Sequence, residues 1–286
     1  MPARVATAFV GVAALSAMWP VSLAACSPKG QGGPTAQSPE RQSEDQYHVA
    51  LDLFQKGNLR VALDHLQKAI ALDGDNAKAN YLASAVHQAF CAGDLGTKSS
   101  DCNLGEAERY ARKALDADAN FRDARNALGA ILINEGRFKE AMDILRPLTQ
   151  DLAYQANHLA WGNYGWAQVL SGQIDEGIAS LQNAITQPKF CVGHYRLAFA
   201  LEKKRRLNDA EASLDNALAS DGPPQCQGLQ EAWLARGRVR LEMGKRDEAM
   251  NDFIRCRELS VRTDTGKECA RRLSAAEAAS GTEAPR

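Results

Sequence analysis

The sequence has almost no net charge and no long run of charges of one sign. Its 34 Lys and Arg residues stand against 35 Asp and Glu residues in a chain of 286, which leaves a net charge of −1. Nucleic-acid-binding domains usually carry a basic excess or a basic stripe. The one basic run, residues 203–206, falls where a helix is expected to end, and cations there complement the helix dipole. We therefore expect no nucleic-acid partner.

Metal-binding and catalytic motifs are missing as well. The seven cysteines include no CxxC pair, and the five histidines do not have the spacing of metal ligands. Residues 93–99, GDLGTKS, have a faint likeness to a phosphate loop, but the segment lacks the four-residue gap and the Gly-Lys-Ser ending. The sequence predicts no enzyme, no cofactor, no metal site and no small-molecule substrate.

The first 25 residues have the pattern of a secretory signal. Arg4 is the single charge before Lys29, and the run between them is mostly Ala, Val and Leu. The alternative, a membrane-spanning helix, needs about 20 apolar residues, and Pro20 makes this segment a poor candidate. Residues 23–26, Leu-Ala-Ala-Cys, resemble the bacterial lipobox. That resemblance implies that Cys26 carries acyl chains that anchor the protein in a membrane, and Ser27 after it suggests the outer membrane, facing the periplasm.

Residues 26–42 are predicted to be a flexible tether. Residues 27–42 hold three Pro, three Gly and no large apolar side chain, so they cannot bury enough surface to offset the entropy of ordering. Sixteen such residues span roughly 20 Å. The folded domain is expected over residues 43–280, followed by a disordered tail at residues 281–286.

From residue 43 the sequence repeats with a period near 34 residues. Each unit has a helical apolar rhythm, then a glycine, then a second helical rhythm with a small residue about five places on. The glycines are Gly57, Gly136, Gly172 and Gly244, and the small residues are Ala62, Ala141, Gly177 and Ala249. Together with Trp161, Trp233, Gly129, Gly165 and Gly237, these features resemble the tetratricopeptide repeat.

That resemblance implies an all-α fold, a right-handed superhelix of about six helical hairpins closed by a C-terminal capping helix. The expected repeats are 43–76, 77–121, 122–155, 158–190, 191–224 and 230–263, and the capping helix is 264–280. Repeat five has Arg205 where glycine is usual. Repeat two carries an insert of about ten residues, 92–101, whose role the sequence does not reveal.

Six cysteines remain when Cys26 is set aside, and an exported chain with an even number is expected to form disulfides. Six cysteines allow 15 pairings, so the sequence leaves the connectivity open. Because repeats of a solenoid contact only their neighbours, three pairs are favoured. They are Cys91 with Cys102, Cys191 with Cys226, and Cys256 with Cys269.

The first helices of such repeats line the concave side of the stack, where a partner can bind. Registering the repeats predicts an apolar groove that consists of Tyr47, Leu51, Phe54, Tyr81, Ile133, Trp166, Val169, Tyr195 and Phe199. The alternative is that these side chains pack between repeats. In repeat six the same face turns polar, with Arg238 and Glu242 beside Leu234.

The whole arrangement resembles the type IV pilus pilotins, the PilF/PilW/Tgl family, and residues 190–218 are most similar to Tgl-like members. This resemblance implies a lipoprotein that binds secretin subunits and promotes their outer-membrane localisation and assembly into multimers, on which motility depends. The alternative is a generic periplasmic scaffold or adaptor lipoprotein, for example for cell-wall enzymes, because tetratricopeptide repeats serve many functions.

Overall fold

A computed structural model describes residues 37–92, 101–187 and 189–281, and these ranges contain helices and no strand. The described residues from Ser38 onward form one compact unit. The signal segment, Cys26 and most of the predicted tether lie outside the described residues, as do residues 93–100 of the insert and residues 282–286. In chain order the helices are α1 (Pro39–Gln55), α2 (Leu59–Leu72), α3 (Ala77–Ala92), α4 (Leu104–Ala117), α5 (Arg122–Asn134), α6 (Phe138–Thr149), α7 (Asn157–Leu170), α8 (Ile174–Ala184), α9 (Cys191–Lys203), α10 (Leu207–Ala217), α11 (Pro224–Gln227), α12 (Gln230–Glu242), α13 (Arg246–Leu259) and α14 (Asp264–Gly281).

The helices pair into six consecutive hairpins followed by a closing helix, which confirms the predicted tetratricopeptide-repeat superhelix. Each hairpin has a first helix (α1, α3, α5, α7, α9 or α12) and a second helix (α2, α4, α6, α8, α10 or α13). The short helix α11 lies in the connection between hairpins five and six. The closing helix α14 packs mainly on α13 and also touches α12. Within the described ranges, no helix is both long and apolar enough to cross a bilayer.

Helix α1 begins four residues before the predicted boundary at residue 43. Ser38 caps the helix by accepting a hydrogen bond from the Arg41 amide at 3.4 Å, and Pro39 occupies the first turn. Proline is well tolerated there because its missing N–H would have no partner within the helix. Our prediction that the tether extends to residue 42 was therefore wrong at its end, where proline starts a helix.

Small residues let the two helices of a hairpin approach closely. A Cβ atom placed on Gly129 would lie 2.5 Å from the Leu145 side chain, and one placed on Gly237 would lie 2.4 Å from the ring of Phe253. Both Leu145 and Phe253 are buried. The glycines that the sequence analysis singled out in the first helices therefore create space for the largest side chains of the second helices.

The turn inside each hairpin requires a left-handed backbone at one position. Gly57, Gly136, Gly172 and Gly244 have φ angles of 77°, 77°, 92° and 78°. Arg205 takes the equivalent place in hairpin five with φ of 60°, the one described non-glycine residue with a positive φ. A side chain in this conformation costs about 1–2 kcal/mol because Cβ approaches the following carbonyl oxygen.

We expect Arg205→Gly to stabilise the protein. Relief of the left-handed strain outweighs the extra entropy of glycine in the unfolded chain, and a net gain of about 0.5–1 kcal/mol raises Tm by about 1–4 °C in a domain of this size. Arg205→Ala is the matched control, since it removes the same exposed ion pair to Glu242 but keeps the strain. Thermal melts followed by circular dichroism compare the two, and a Tm for Arg205→Gly no higher than that of Arg205→Ala would contradict the prediction.

The first helices form the inner side of the stack. Each first helix contacts the first helix of the next hairpin, while no second helix shows comparable contact with the next second helix in the described part of the chain. In a curved stack, the elements that approach one another most closely lie on the inside. We call the surface of α1, α3, α5, α7, α9 and α12 that faces away from the second helices the inner face.

Three disulfides join sequence neighbours in the stack. Cys91 and Cys102 close the insert of hairpin two with a Cα–Cα distance of 4.4 Å. Cys191, at the start of α9, joins Cys226 in α11 (5.7 Å), and Cys256 of α13 joins Cys269 of the closing helix (6.1 Å). These are the three pairs that the sequence analysis favours because repeats of a solenoid contact only their neighbours.

Candidate functional site

The inner face is the candidate site, and seven of the nine residues predicted to form its groove are partly exposed. None of the nine side chains is highly exposed to solvent. The seven partly exposed residues are Tyr47, Leu51, Phe54, Tyr81, Trp166, Tyr195 and Phe199. These side chains therefore pack partly within the fold and leave only part of their apolar surface accessible to a partner.

Ile133 and Val169 are buried, so their assignment to the groove was wrong. Ile133 belongs to the core between hairpins two, three and four, and Val169 belongs to the core of hairpins four to six. The side chain of Val169 lies against Gly177 of the second helix, at 2.5 Å from the position of a Cβ atom there. Both residues sit near the end of a first helix, inside clusters that also include side chains of neighbouring hairpins.

The first hairpin contributes a partly polar end to the inner face. Tyr47, Leu51 and Phe54 pack against the core between α1, α2 and α3. The Lys78 ammonium lies 5.8 Å from the centre of the Tyr47 ring and donates a hydrogen bond to Glu44 at 2.8 Å. That hydrogen bond raises the pKa of Lys78 and lowers the pKa of Glu44. This end of the face therefore keeps its own charges paired.

Tyr81 lies on α3 and pairs with Phe121, which immediately precedes α5. Their ring centres are 5.0 Å apart and tilted by 56°. Burial raises the pKa of Tyr81 above its ordinary value, and Asp123 nearby adds to this effect. Sequence analysis missed Phe121 because it lies outside the regular helix pattern.

An aromatic cluster on two neighbouring first helices consists of Trp166, Tyr195 and Phe199, which are partly exposed and pack against the core of hairpins four to six. The rings of Trp166 and Phe199 meet edge to face with centres 5.2 Å apart, the favoured geometry for aromatic pairs. The Lys203 ammonium lies 5.3 Å from the centre of the Phe199 ring. Burial raises the pKa of the Tyr195 hydroxyl, which stays a neutral hydrogen-bonding group. Aromatic rings with a cation beside them suit partners that combine apolar and acidic side chains.

A line of polar side chains crosses three first helices beside this cluster. Asn163 donates to the Asn126 side-chain oxygen at 3.0 Å and accepts from Arg196 at 2.8 Å, so one chain of hydrogen bonds joins α5, α7 and α9. Sequence analysis missed all three residues. A signal was present for Arg196, because it is the one charged residue in the apolar stretch 191–201 when histidine is counted as neutral.

In hairpin six, the residues that the sequence register assigns to this face are Leu234, Arg238 and Glu242. Arg238 of α12 forms an ion pair with Glu202 of α9 at 2.8 Å, beside the partly exposed Leu234. Across the described residues, no group of three or more His, Cys, Asp or Glu side chains could hold a metal ion. The arrangement is suited to binding a polypeptide through side-chain contacts.

Comparison with known proteins places the chain among solenoids of this type. No protein-family model matches the sequence. The type IV pilus assembly protein PilF of Pseudomonas aeruginosa is 29% identical over 155 residues, which cover 54% of this chain and 57% of PilF. The chain thus matches a little over half of that relative's length.

Two solved structures share the fold over most of the chain. The structure of Pseudomonas aeruginosa PilF matches with a TM-score of 0.62 and 19% identity, covering 82% of this chain and all of that one. The structure of PilW, described as a widely conserved type IV pilus biogenesis factor, matches with a TM-score of 0.64 and 17% identity, covering 79% of this chain and 97% of that one. The chain is therefore a tetratricopeptide-repeat protein with a sequence relative and structural neighbours among type IV pilus biogenesis factors.

Proposed function

We propose that this protein is a pilotin, a type IV pilus biogenesis lipoprotein that binds secretin subunits and promotes their outer-membrane localisation and multimer assembly. The observation that carries the proposal is the relationship to PilF over 155 residues. The inner face gives the proposal a physical basis, because a surface with aromatic and cationic side chains can bind an apolar client segment.

The proposed mechanism combines binding on the inner face with a membrane anchor at Cys26, which lies outside the described residues. An extended or helical secretin segment packs on the aromatic cluster and on Tyr81 and Tyr47, and this shields the segment from aggregation. The acyl chains and the tether keep the bound subunit close to the membrane, which raises its effective concentration there without any new contact.

Removing the apolar side chains of the inner face should abolish secretin multimers. The triple variant Tyr47→Ala, Trp166→Ala, Phe199→Ala is expected to remain in the membrane fraction while secretin multimers fall to the level of a deletion strain. The measurement is a gel assay of membrane extracts under conditions that preserve multimers. A matched control, Val61→Ala with Leu152→Ala, trims exposed apolar side chains on a second helix and in a loop, and it should leave multimers unchanged.

Normal secretin multimers in cells that contain a folded triple variant would contradict the proposal that secretin binds to the inner face. A second measurement does not depend on any destabilising substitution: a photo-crosslinking amino acid at Tyr195 should capture a secretin subunit in cells, and one at Val61 should not. Capture of cell-wall enzymes from position 195 in place of secretin would instead support the scaffold function.

The anchor is tested separately with Cys26→Ala. This variant should appear in the soluble fraction and leave secretin unassembled or misplaced, although its repeats are intact. Intact mass measurement of the wild-type protein checks the premise directly, since a chain without fatty acids on Cys26 would contradict it.

A further inference from the structure

Arg196 is a partly buried cation with an unusual set of partners. The neighbouring partly buried arginines, Arg236, Arg238 and Arg240, each form an ion pair with an Asp or Glu side chain. Arg196 forms none with any described carboxylate, and it donates instead to two neutral acceptors, the Gly162 carbonyl oxygen at 3.1 Å and Asn163 Oδ1 at 2.8 Å.

This arrangement leaves a charge without compensation in a weakly solvated place. Burial lowers the pKa of Arg196 to about 10, so the side chain is still charged at neutral pH. A cation that has lost part of its hydration and gained no anion is unfavourable. A carboxylate supplied by a partner would offset that cost, whereas an apolar partner alone would increase it.

One edge of the guanidinium is open. Both hydrogen bonds of Arg196 come from Nη1, and Nε and Nη2 have no described acceptor, yet neither is among the buried atoms without a partner. Nε and Nη2 are two parallel donors that a carboxylate can accept from together, the strongest geometry for an arginine–carboxylate pair. Arg196 is partly exposed and therefore keeps a two-pronged donor that no described acceptor uses.

The position of this edge is fixed by the surrounding residues. Asn163 is itself held by Asn126, so its oxygen points at Arg196. The guanidinium carbon lies 5.6 Å from the centre of the Trp166 ring, which in turn contacts Phe199. Such preorganisation lowers the entropy cost of binding, and it places the charged edge directly beside the aromatic cluster.

We propose that the Nε–Nη2 edge of Arg196 binds the side-chain carboxylate of an Asp or Glu residue in the partner, and that the aromatic cluster binds the apolar residues that flank it. The acidic residue lies within the partner segment and not at its C-terminus, because first helices of other hairpins flank α9 on both sides. The identity of the partner as a secretin rests on the proposed function, while the chemistry of the contact does not.

A pair of short peptides tests the charge preference. Both are N-acetylated and C-amidated, both have Leu and Phe flanks, and they differ in a central Glu or Gln. Binding to the full-length chain is followed by fluorescence anisotropy. The wild-type protein should bind the Glu peptide about tenfold tighter or more, the range of a charge-assisted hydrogen bond. Equal binding of the two peptides, or binding of neither at millimolar concentration, would overturn the proposal.

Variants of this protein test whether Arg196 causes the preference for the Glu peptide. In Arg196→Gln the Glu-to-Gln preference should fall to within about twofold, and in Arg196→Lys it should be intermediate because the charge remains without the two-pronged geometry. Lys204→Gln is the matched control, since it removes an exposed cation that follows the same helix and is already paired with Asp175, and it should leave the preference above about fivefold. A preference that survives Arg196→Gln would overturn the assignment.

A third peptide and the secretin assay separate the remaining outcomes. The Gln peptide with a free C-terminal carboxylate should bind more weakly than the Glu peptide, and tighter binding would contradict an internal acidic residue. If the wild-type protein shows no preference for the Glu peptide while secretin multimers still depend on this protein in cells, this inference is overturned and the pilotin function stands. A clear preference together with secretin assembly that does not need this protein overturns the pilotin function alone.

Discussion

Replacing Asp252 with alanine is expected to lower the free energy of unfolding by about 3–5 kcal/mol, the cost of breaking a buried ion pair from one side. Asp252 is 2% exposed and is the shared partner of Arg236 at 2.7 Å and Arg240 at 2.9 Å. The side chains of these arginines are only 13% and 17% exposed. Without the carboxylate, Arg236 keeps only the half-exposed Asp215, and Arg240 keeps Asp215 and the partly buried Glu211 of hairpin five.

Chemical unfolding monitored by circular dichroism measures this loss. Asp215→Ala is the matched control, because Asp215 binds the same two arginines but is 50% exposed. Exposed ion pairs contribute about 0–1 kcal/mol, so the control should change stability little. Similar decreases in the free energy of unfolding for the two variants would contradict the prediction that burial makes the ion pairs of Asp252 more stabilising.

Removing the disulfide between Cys191 and Cys226 is expected to be the second large effect. The bond closes a loop with a sequence separation of 35 residues, and the loop-entropy estimate for that length is about 3–4 kcal/mol. It ties the start of α9 to α11, the short helix that leads into hairpin six. We expect the double variant Cys191→Ala, Cys226→Ala to unfold at a clearly lower denaturant concentration than the wild-type protein.

The pair Cys91→Ala, Cys102→Ala is the comparison, since its loop has a separation of only 11 residues and an estimated contribution of about 2–3 kcal/mol. Removal of the bond that closes the smaller loop should cause the smaller decrease in the free energy of unfolding. Addition of a reductant should lower the denaturant concentration at the unfolding midpoint of the wild-type protein. It should not change that midpoint in a variant that lacks all six of these cysteines. Midpoints that do not change on reduction would contradict a stabilising role for these bonds.

Local sequence rules predicted the repeats well because each rule depends on only a few neighbouring residues. Gly57 and its equivalents mark the turns through their left-handed backbone, and Gly129 and Gly237 mark the places where helices approach. The same local reasoning failed at Pro39, which it assigned to the tether. A proline pattern alone does not distinguish a linker from the first turn of a helix.

The candidate site was harder to predict than the fold. A periodic pattern assigns Phe54, Ile133 and Val169 equivalent places in their repeats, yet only Phe54 remains partly exposed. Burial of the other two depends on how neighbouring hairpins close over the ends of their first helices. Arg196 was missed because an isolated arginine in a sequence does not reveal whether a carboxylate lies opposite it.

The sequence by itself determined that this protein is a stack of helical hairpins, where the turns inside most hairpins lie, and which cysteines are neighbours along the stack. These features follow from contacts between residues close in the chain, and helical periodicity encodes them directly. Only the tertiary structure decided which side chains of the inner face stay accessible and which charges stay unpaired. Both properties arise between helices some 30 or more residues apart in the chain, as the Asn163–Arg196 contact across 33 residues shows, and no local pattern encodes them.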